Sequence, residues 1–177
     1  MSIDNILDQT SKTFVRPYLF VVDCKIHGET VIEQGDTIDK SILIKTTTLP
    51  STTIGNIEIP YQGRKINMPG DRAAPADISL TIIYHKENNI HKKFHNAMEK
   101  IQESDGTGIK PWDLIDNIMT IGVGDPEKPN TLLQSYKLYG VIPTSIGAVE
   151  VSHETTDALL TFDATIQYSY HEFNSDG

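Results

Sequence analysis

One cysteine, one tryptophan and three arginines are found in 177 residues. The single thiol, Cys24, has no partner for an internal disulfide and no cysteine set for a zinc centre. A lone thiol suits a reducing compartment. Long apolar runs are missing: nothing approaches the ~20 residues that span a bilayer as a helix. Met1 to Ser11 has no basic start followed by an apolar block, so no secretory leader is expected. Positive charge is scarce, with 15 Lys and Arg against 24 Asp and Glu, a net of −9. That balance argues against tight binding to nucleic acid, where phosphate neutralisation supplies most of the affinity, and against docking on an anionic membrane. The shortage is local. Residues 138–177 hold no Lys or Arg but carry Glu150, Glu154, Asp157, Asp163, Glu172 and Asp176. Leu (11) and Ala (7), normally among the commonest residues, are also few.

Their place is taken by 23 Ile, 18 Thr and 8 Val. β-Branched side chains have a stiff χ1 that suits a pleated surface, so the composition favours strands. Apolar residues make up 38%, as in a soluble globular chain. The length predicts one domain over 1–177, burying about 70% of its unfolded surface without a disulfide or metal. Residues 1–13 read as a weakly amphipathic or flexible arm.

The clearest strand is 159–171, with Leu160, Phe162, Ala164, Ile166, Tyr168 and Tyr170 on one face and polar residues on the other. Period two over a dozen residues is the pattern of an antiparallel strand with one wet face. Residues 76–84, 18–26 and 41–48 also read as strands. So does 56–68, with a bulge or bend expected at Pro60 and Gly63. Residues 134–142 and 146–153 read as a strand pair joined by turn chemistry at Pro143 to Gly147. Ile90, Phe94, Ala97 or Met98, and Ile101 recur at helical spacing and predict one main helix over 86–103. A shorter helix is expected over 111–119, with Trp112, Ile115 and Met119 on one side and Pro111 in its first turn. Gly122 to Asn130 reads as a loop. Several strands and one helix predict a mainly β fold: two packed antiparallel sheets, sandwich- or barrel-like, with a flanking helix.

Candidate chemistry is thin. His91 and His95 at i, i+4, with Glu99 one turn on, have zinc-binding spacing. However, His-Lys-Lys-Phe-His lacks the Glu of a zincin helix and sets two lysines beside a dication. The polar face of an amphipathic helix explains them better. Gly106-Thr107-Gly108 and Gly122-Val123-Gly124 lack a dinucleotide fingerprint, and no Gly-x-Ser-x-Gly elbow occurs. Cys24 sits on an apolar strand face, the setting of a buried inert thiol. No catalytic residue, metal or cofactor is expected. The densest basic segment, Gly63 to Arg72, holds Arg64, Lys65 and Arg72 but only Tyr61 as a nearby aromatic. It lacks the aromatic interleaving of a nucleic-acid surface. It reads as a strand–turn unit bent at Pro69-Gly70, with Asp71 and Arg72 available for ion pairs.

Leu49-Pro50 followed by Ile59-Pro60-Tyr61-Gln62-Gly63-Arg64-Lys65-Ile66-Asn67-Met68-Pro69-Gly70-Asp71-Arg72 resembles the signature of the tail tube proteins of contractile-tailed bacteriophages. Arg16-Pro17-Tyr18-Leu19-Phe20 near the start agrees in order and spacing, as do Gly140 to Gly147 and Phe162 to Tyr170 near the end. The resemblance spans roughly 16–171. Residues 28–41 and 108–130 look longer than the family's usual loops. The resemblance implies rings of six copies whose strands join into a β-barrel around a channel, stacked into a tube inside a contractile sheath. The implied partners are further copies, the sheath protein, a baseplate tube initiator and a tail terminator. Phage DNA passes through without specific binding, and no membrane or cofactor is involved. The implied location is the virion tail, after synthesis in the host cytoplasm. A tube-initiator subunit, or the tube subunit of a related injection or type VI secretion system, would share the pattern. Within that frame Arg16, Tyr61, Arg64, Lys65, Asp71 and Arg72 are expected to contact an adjacent copy or ring. Glu150, Glu154 and Asp163 are expected to line the channel, where acids repel phosphate.

Overall fold

The computed structural model describes residues 19–32, 43–85, 89–102, 111–125, 131–149, 151 and 159–174. Alternation along 20–32 yields β1 (Phe20–Ile26) and β2 (Glu29–Ile32), joined at His27-Gly28. There follow β3 (Ile44–Thr47), β4 (Ile54–Tyr61), β5 (Arg64–Arg72), β6 (Ile78–Ile83) and the helix α1 (Ile90–Ile101). A 3-10 turn at Pro111–Asp116 leads into β7 (Ile118–Gly124), β8 (Leu132–Tyr139), β9 (Ile142–Ile146), β10 (Thr161–Gln167) and β11 (Tyr170–Asn174). The strands form a five-stranded sheet ordered β11-β8-β7-β1-β2, a four-stranded sheet ordered β3-β6-β10-β9 and a separate hairpin β4-β5. Every described pairing is antiparallel.

The core lies between the two larger sheets, as the alternation requires. Val22, Cys24, Ile26, Met119, Ile121 and Leu138 enter from the five-stranded sheet, and Ile78, Leu80, Ile82, Phe162, Ala164 and Ile166 from the four-stranded one. Each fully buried aliphatic side chain contributes about 1.5–3 kcal/mol relative to exposure. α1 adds Ile90, Phe94 and Ala97 to this core. Its first turn is capped by Asn89, whose Oδ1 accepts from Lys92 N–H at 3.0 Å. At its other end Lys100 Nζ donates to Glu29 Oε1 at 2.5 Å and ties the helix to β2. That hydrogen bond and charge hold the Glu29 carboxyl below its usual range.

Several sequence expectations are corrected. The strand expected over 159–171 is two strands in different sheets: β10 pairs with β6 and β9, whereas β11 pairs with β8. Tyr168 stays inward at 6% exposure, but Tyr170 turns out to 47%. The strands expected over 134–142 and 146–153 are not partners either, because β8 and β9 also belong to different sheets. Both chain crossings meet at one corner. Gly140 adopts φ +65°, and a Cβ there would meet Ser169 Oγ at 2.5 Å. Ser169 N–H donates to Tyr139 O at 2.9 Å. Period two is unchanged when a strand bends from one sheet into the other, so the pattern alone does not reveal the corner.

The segment 56–68 is not one bulged strand but most of a hairpin, and Pro69-Gly70 lies inside β5 rather than at a bend. The turn falls at Gln62 and Gly63, with φ of 46° and 76°. Two consecutive positive φ values define the type I′ turn whose twist matches a two-residue hairpin. The helix expected over 111–119 is a 3-10 turn ending at Asp116, with Ile115 56% exposed and Met119 buried on β7. Gly122 to Gly124, expected in a loop, completes β7. The expected arm at 1–13 lies outside the described residues.

Candidate assembly surfaces

The hairpin follows from simple alternation. Ile57, Ile59 and Tyr61 of β4 lie opposite Met68, Ile66 and Arg64 of β5, which puts them on one face. Asn56, Glu58 and Pro60 oppose Pro69, Asn67 and Lys65 on the other. The polar face is internally paired: Lys65 Nζ donates to Glu58 Oε2 at 2.6 Å and Asn56 Nδ2 to Asn67 Oδ1 at 3.3 Å. The apolar face is covered by nothing among the described residues. Ile57 is 54% exposed, Ile59 42%, Tyr61 59%, Ile66 48% and Met68 48%. An isolated two-stranded hairpin is at best marginally stable in water, and a contiguous apolar face of this kind marks an interaction surface.

Four of the expected contact residues therefore sit at the ends of one hairpin. Tyr61 and Arg64 flank its turn, and Asp71 and Arg72 close its root. Lys65 differs, because Glu58 already engages it. Arg16 lies outside the described residues.

The second surface is the outward face of the four-stranded sheet. Where Phe162, Ala164 and Ile166 point into the core, Asp163, Thr165 and Gln167 point away from it, beside Ser79 and Thr81 of β6. Thr81 Oγ1 donates to Asp163 Oδ1 at 2.8 Å, and Thr144 Oγ1 to Thr165 O at 3.2 Å. Asp163 is the only ionisable residue of β6, β9 and β10. This face is hydroxyl-rich; besides Asp163 it carries Asp77, which accepts from Gln167 Nε2 at 3.4 Å, and one base, the exposed Lys45 of β3. Among the described residues the sheet ends in β3 on one side and β9 on the other. Such unpaired edges are pairing templates. Glu150 and Glu154 lie outside the described residues.

A third feature went unread in the sequence. At the hairpin root Thr52 Oγ1 lies 3.1 Å from His171 Nε2. The His171 ring packs 6.1 Å from Tyr136 and 5.8 Å from Tyr168, and Tyr136 packs 5.1 Å from Phe173. These residues meet only because β11 joins β8, a pairing with no local signature.

The two helix histidines do not converge on a third ligand among the described residues. The His91 ring lies edge-on to Phe162 at 5.1 Å, while His95 Nδ1 is 3.9 Å from Glu99. Cys24 is fully buried, and burial pushes its thiol up to about 12, with the neighbouring Asp23 charge adding to the shift. A thiol so protonated is no nucleophile.

Comparison with known proteins bears on what these surfaces serve. Residues 15–174 match the family model described as phage tail tube protein. The tail tube protein gp19 of Enterobacteria phage T4 is 25% identical over 164 residues, covering 92% of this chain and 93% of that protein. The tail tube protein of Serratia phage KSP90 is 25% identical over 138 residues, covering 75% of this chain and 73% of that protein. In fold, the chain is similar to one in the sheath-tube complex of the extracellular contractile injection system PVC. That match has a TM-score of 0.65 and 15% identity, and covers 99% of both chains. It is also similar to a chain of the six-fold symmetrised anti-feeding prophage baseplate, with a TM-score of 0.64 and 10% identity over 92% of this chain and 97% of that one.

Proposed function

The chain belongs to the phage tail tube protein family, and from that premise we infer that its copies assemble, six to a ring, into stacked rings forming a hollow conduit inside a contractile sheath. As a tail tube protein it is a structural component of the virion tail.

The observation that carries the assembly reading is the hairpin. Its apolar face, Ile57, Ile59, Ile66 and Met68, has no cover within the described chain, and a second copy supplies it. Tyr61, Arg64, Asp71 and Arg72 at its two ends then contact that copy, and Arg16 joins them. Lys65 takes part through its pair with Glu58.

The four-stranded sheet fits the channel wall. Pairing β3 of one copy with β9 of the next satisfies both free edges and closes the sheets into one barrel, which leaves no edge in the ring. Its outward face becomes the lumen. Serine and threonine hydroxyls with the Asp77 and Asp163 carboxylates outweigh the single base, Lys45, and repel or ignore phosphate, whereas a basic wall would bind DNA through many contacts. Glu150 and Glu154 add to the acidic lining. The tube needs no catalytic step: sheath contraction drives it as a rigid body. Its further partners are the sheath protein, a baseplate initiator and a terminator, and DNA passes without specific binding.

Electron microscopy of the purified protein across a concentration series tests the reading. Hollow tubes of indefinite length with a central channel are expected. Six-membered rings that never stack would favour an initiator subunit of the same fold. A monomer at every concentration, unchanged by an added baseplate, would overturn the tube reading.

A further inference from the structure

The hairpin root borders an open cleft of about 220 Å³ between residues 51–52, the exit of β5 and the β10–β11 corner. A shallower recess beside it shares Thr52, Arg72 and His171 and is walled by Pro50, Tyr136 and Phe173. The walls are held in place by the Thr52–His171 contact at 3.1 Å and by Ala73 N–H donating to Thr53 O at 2.9 Å. Arg72 lines both spaces. Among the described residues its guanidinium has no ion pair or hydrogen bond. Asp71 does not supply one: adjacent residues of a strand point to opposite faces, so Asp71 lies on the far side of β5.

We propose that this cleft is a carboxylate receptor, in which Arg72 and the hydroxyls of Ser51 and Thr52, the latter held by the His171 ring, take an Asp or Glu side chain from an adjacent copy of this chain. The inference deepens the tube reading and rests on it.

Three observations carry it. A guanidinium offers five donors in a planar fork that matches a carboxylate in bidentate fashion, and among the described residues nothing engages that fork. The cleft sets it in a mixed lining, with Ala73, Ala74 and Pro75 as well as Ser51 and Thr52, where a covering subunit would exclude water and strengthen the pair. The Thr52–His171 and Ala73–Thr53 hydrogen bonds hold the root before any partner arrives, so the ordering cost on binding falls mainly on the Arg72 side chain. The occupant follows from charge. The chain carries 24 acids against 15 Lys and Arg, so each copy has carboxylates to spare. A receptor on one face and an acid on another make a head-to-tail contact, the kind that closes into rings or propagates along a stack. A nucleic-acid phosphate fits less well, because one arginine on a chain of net charge −9 gives no basic surround.

The test is assembly of the full chain at several salt concentrations, read by light scattering and electron microscopy, together with the density around Arg72 in the tubes. Arg72→Gln keeps a hydrogen-bonding side chain but removes the charge. It is expected to raise the protein concentration needed for assembly at least tenfold, flatten its salt dependence and leave monomer melting unchanged. Arg72→Lys is expected to recover only part, because an ammonium cannot fork. In wild-type tubes a neighbouring copy's carboxylate should lie within hydrogen-bond distance of the guanidinium. Arg72→Gln assembling like wild type, or density showing Arg72 against solvent, an aromatic ring or DNA, would overturn the receptor alone. Failure of wild type to assemble even with a baseplate would overturn the tube reading and the receptor with it.

Discussion

Thr81 and Asp163 face each other across β6 and β10, and the threonine hydroxyl donates to the carboxylate at 2.8 Å on the side of the sheet turned away from the core. The bond fixes the only ionisable side chain of three neighbouring strands in an outward position.

Reversing that charge separates assembly from transit. Asp163→Lys costs one exposed hydrogen bond, about 0.5–1.5 kcal/mol, and leaves the inward face of β10 intact. Tubes of unchanged diameter are expected. DNA ejection from virions carrying the variant is expected to slow, most strongly at low salt, because each ring then offers phosphate contacts. Time-resolved ejection across a salt series checks this, and equal rates for the two proteins would remove the acid from the transport argument.

The hairpin makes a complementary prediction. Ile59→Glu breaks one exposed cross-strand pair with Ile66, a contribution of about 0.2–1 kcal/mol, and buries nothing. Melting of the monomer should scarcely move, whereas the assembly threshold should rise more than tenfold. Asn67→Ser on the polar face is the control and should assemble nearly as wild type. If both variants assembled alike, the apolar face would have no part in the contact.

How much of this was legible beforehand depends on how local the cause was. Val22, Cys24, Ile26, Ile78, Leu80, Ile82 and Phe162 were readable as core because their alternation is a property of consecutive residues. Phe94 and Ala97 were readable on the same ground at helical spacing. The strand boundaries near Gly140 and Tyr168 were not, since alternation continues smoothly through a corner. The resemblance singled out Ile59 to Arg72 as an expected contact segment, but not its hairpin form. Reading a bulge or bend at Pro60 and Gly63 and the turn at Pro69-Gly70 hid the hairpin and its two faces. His171, Tyr136 and Thr52 were invisible as a group, because only the β8–β11 pairing brings them to the hairpin root.

Asn117 was missed for the same reason, and it carries a stability prediction. Fully buried, it accepts from His27 N–H at 2.8 Å and donates from Nδ2 to Val141 O at 3.1 Å. One amide thus satisfies backbone groups of two separate turns. Asn117→Ala strands both, which costs about 2–6 kcal/mol at the usual penalty of about 1–3 kcal/mol for each buried unpaired group. Asn117→Asp keeps the acceptor, loses the donor and buries a charge. It should be at least as damaging at neutral pH and partly relieved in acid, where the carboxyl protonates. Denaturant unfolding of the monomer at two pH values measures both.

Cys24 gives the pH prediction. Burial raises its thiol from 9.0 to about 12 in the folded chain. The folded state therefore binds this proton more tightly than the unfolded state. The associated stability is fully present below pH 9 and is lost as pH rises from there through about 12. Cys24→Ala forfeits some packing at all pH values but removes this titration. Its stability should consequently fall less steeply over the alkaline window than that of wild type, with tyrosines and lysines cancelling in the comparison. At neutral pH the wild-type thiol should stay unreactive towards an aromatic disulfide reagent until denaturant unfolds the chain, then react in full. Parallel alkaline slopes together with rapid labelling of the native protein would mean that the thiol is accessible from solution, and that β1 opens without global unfolding.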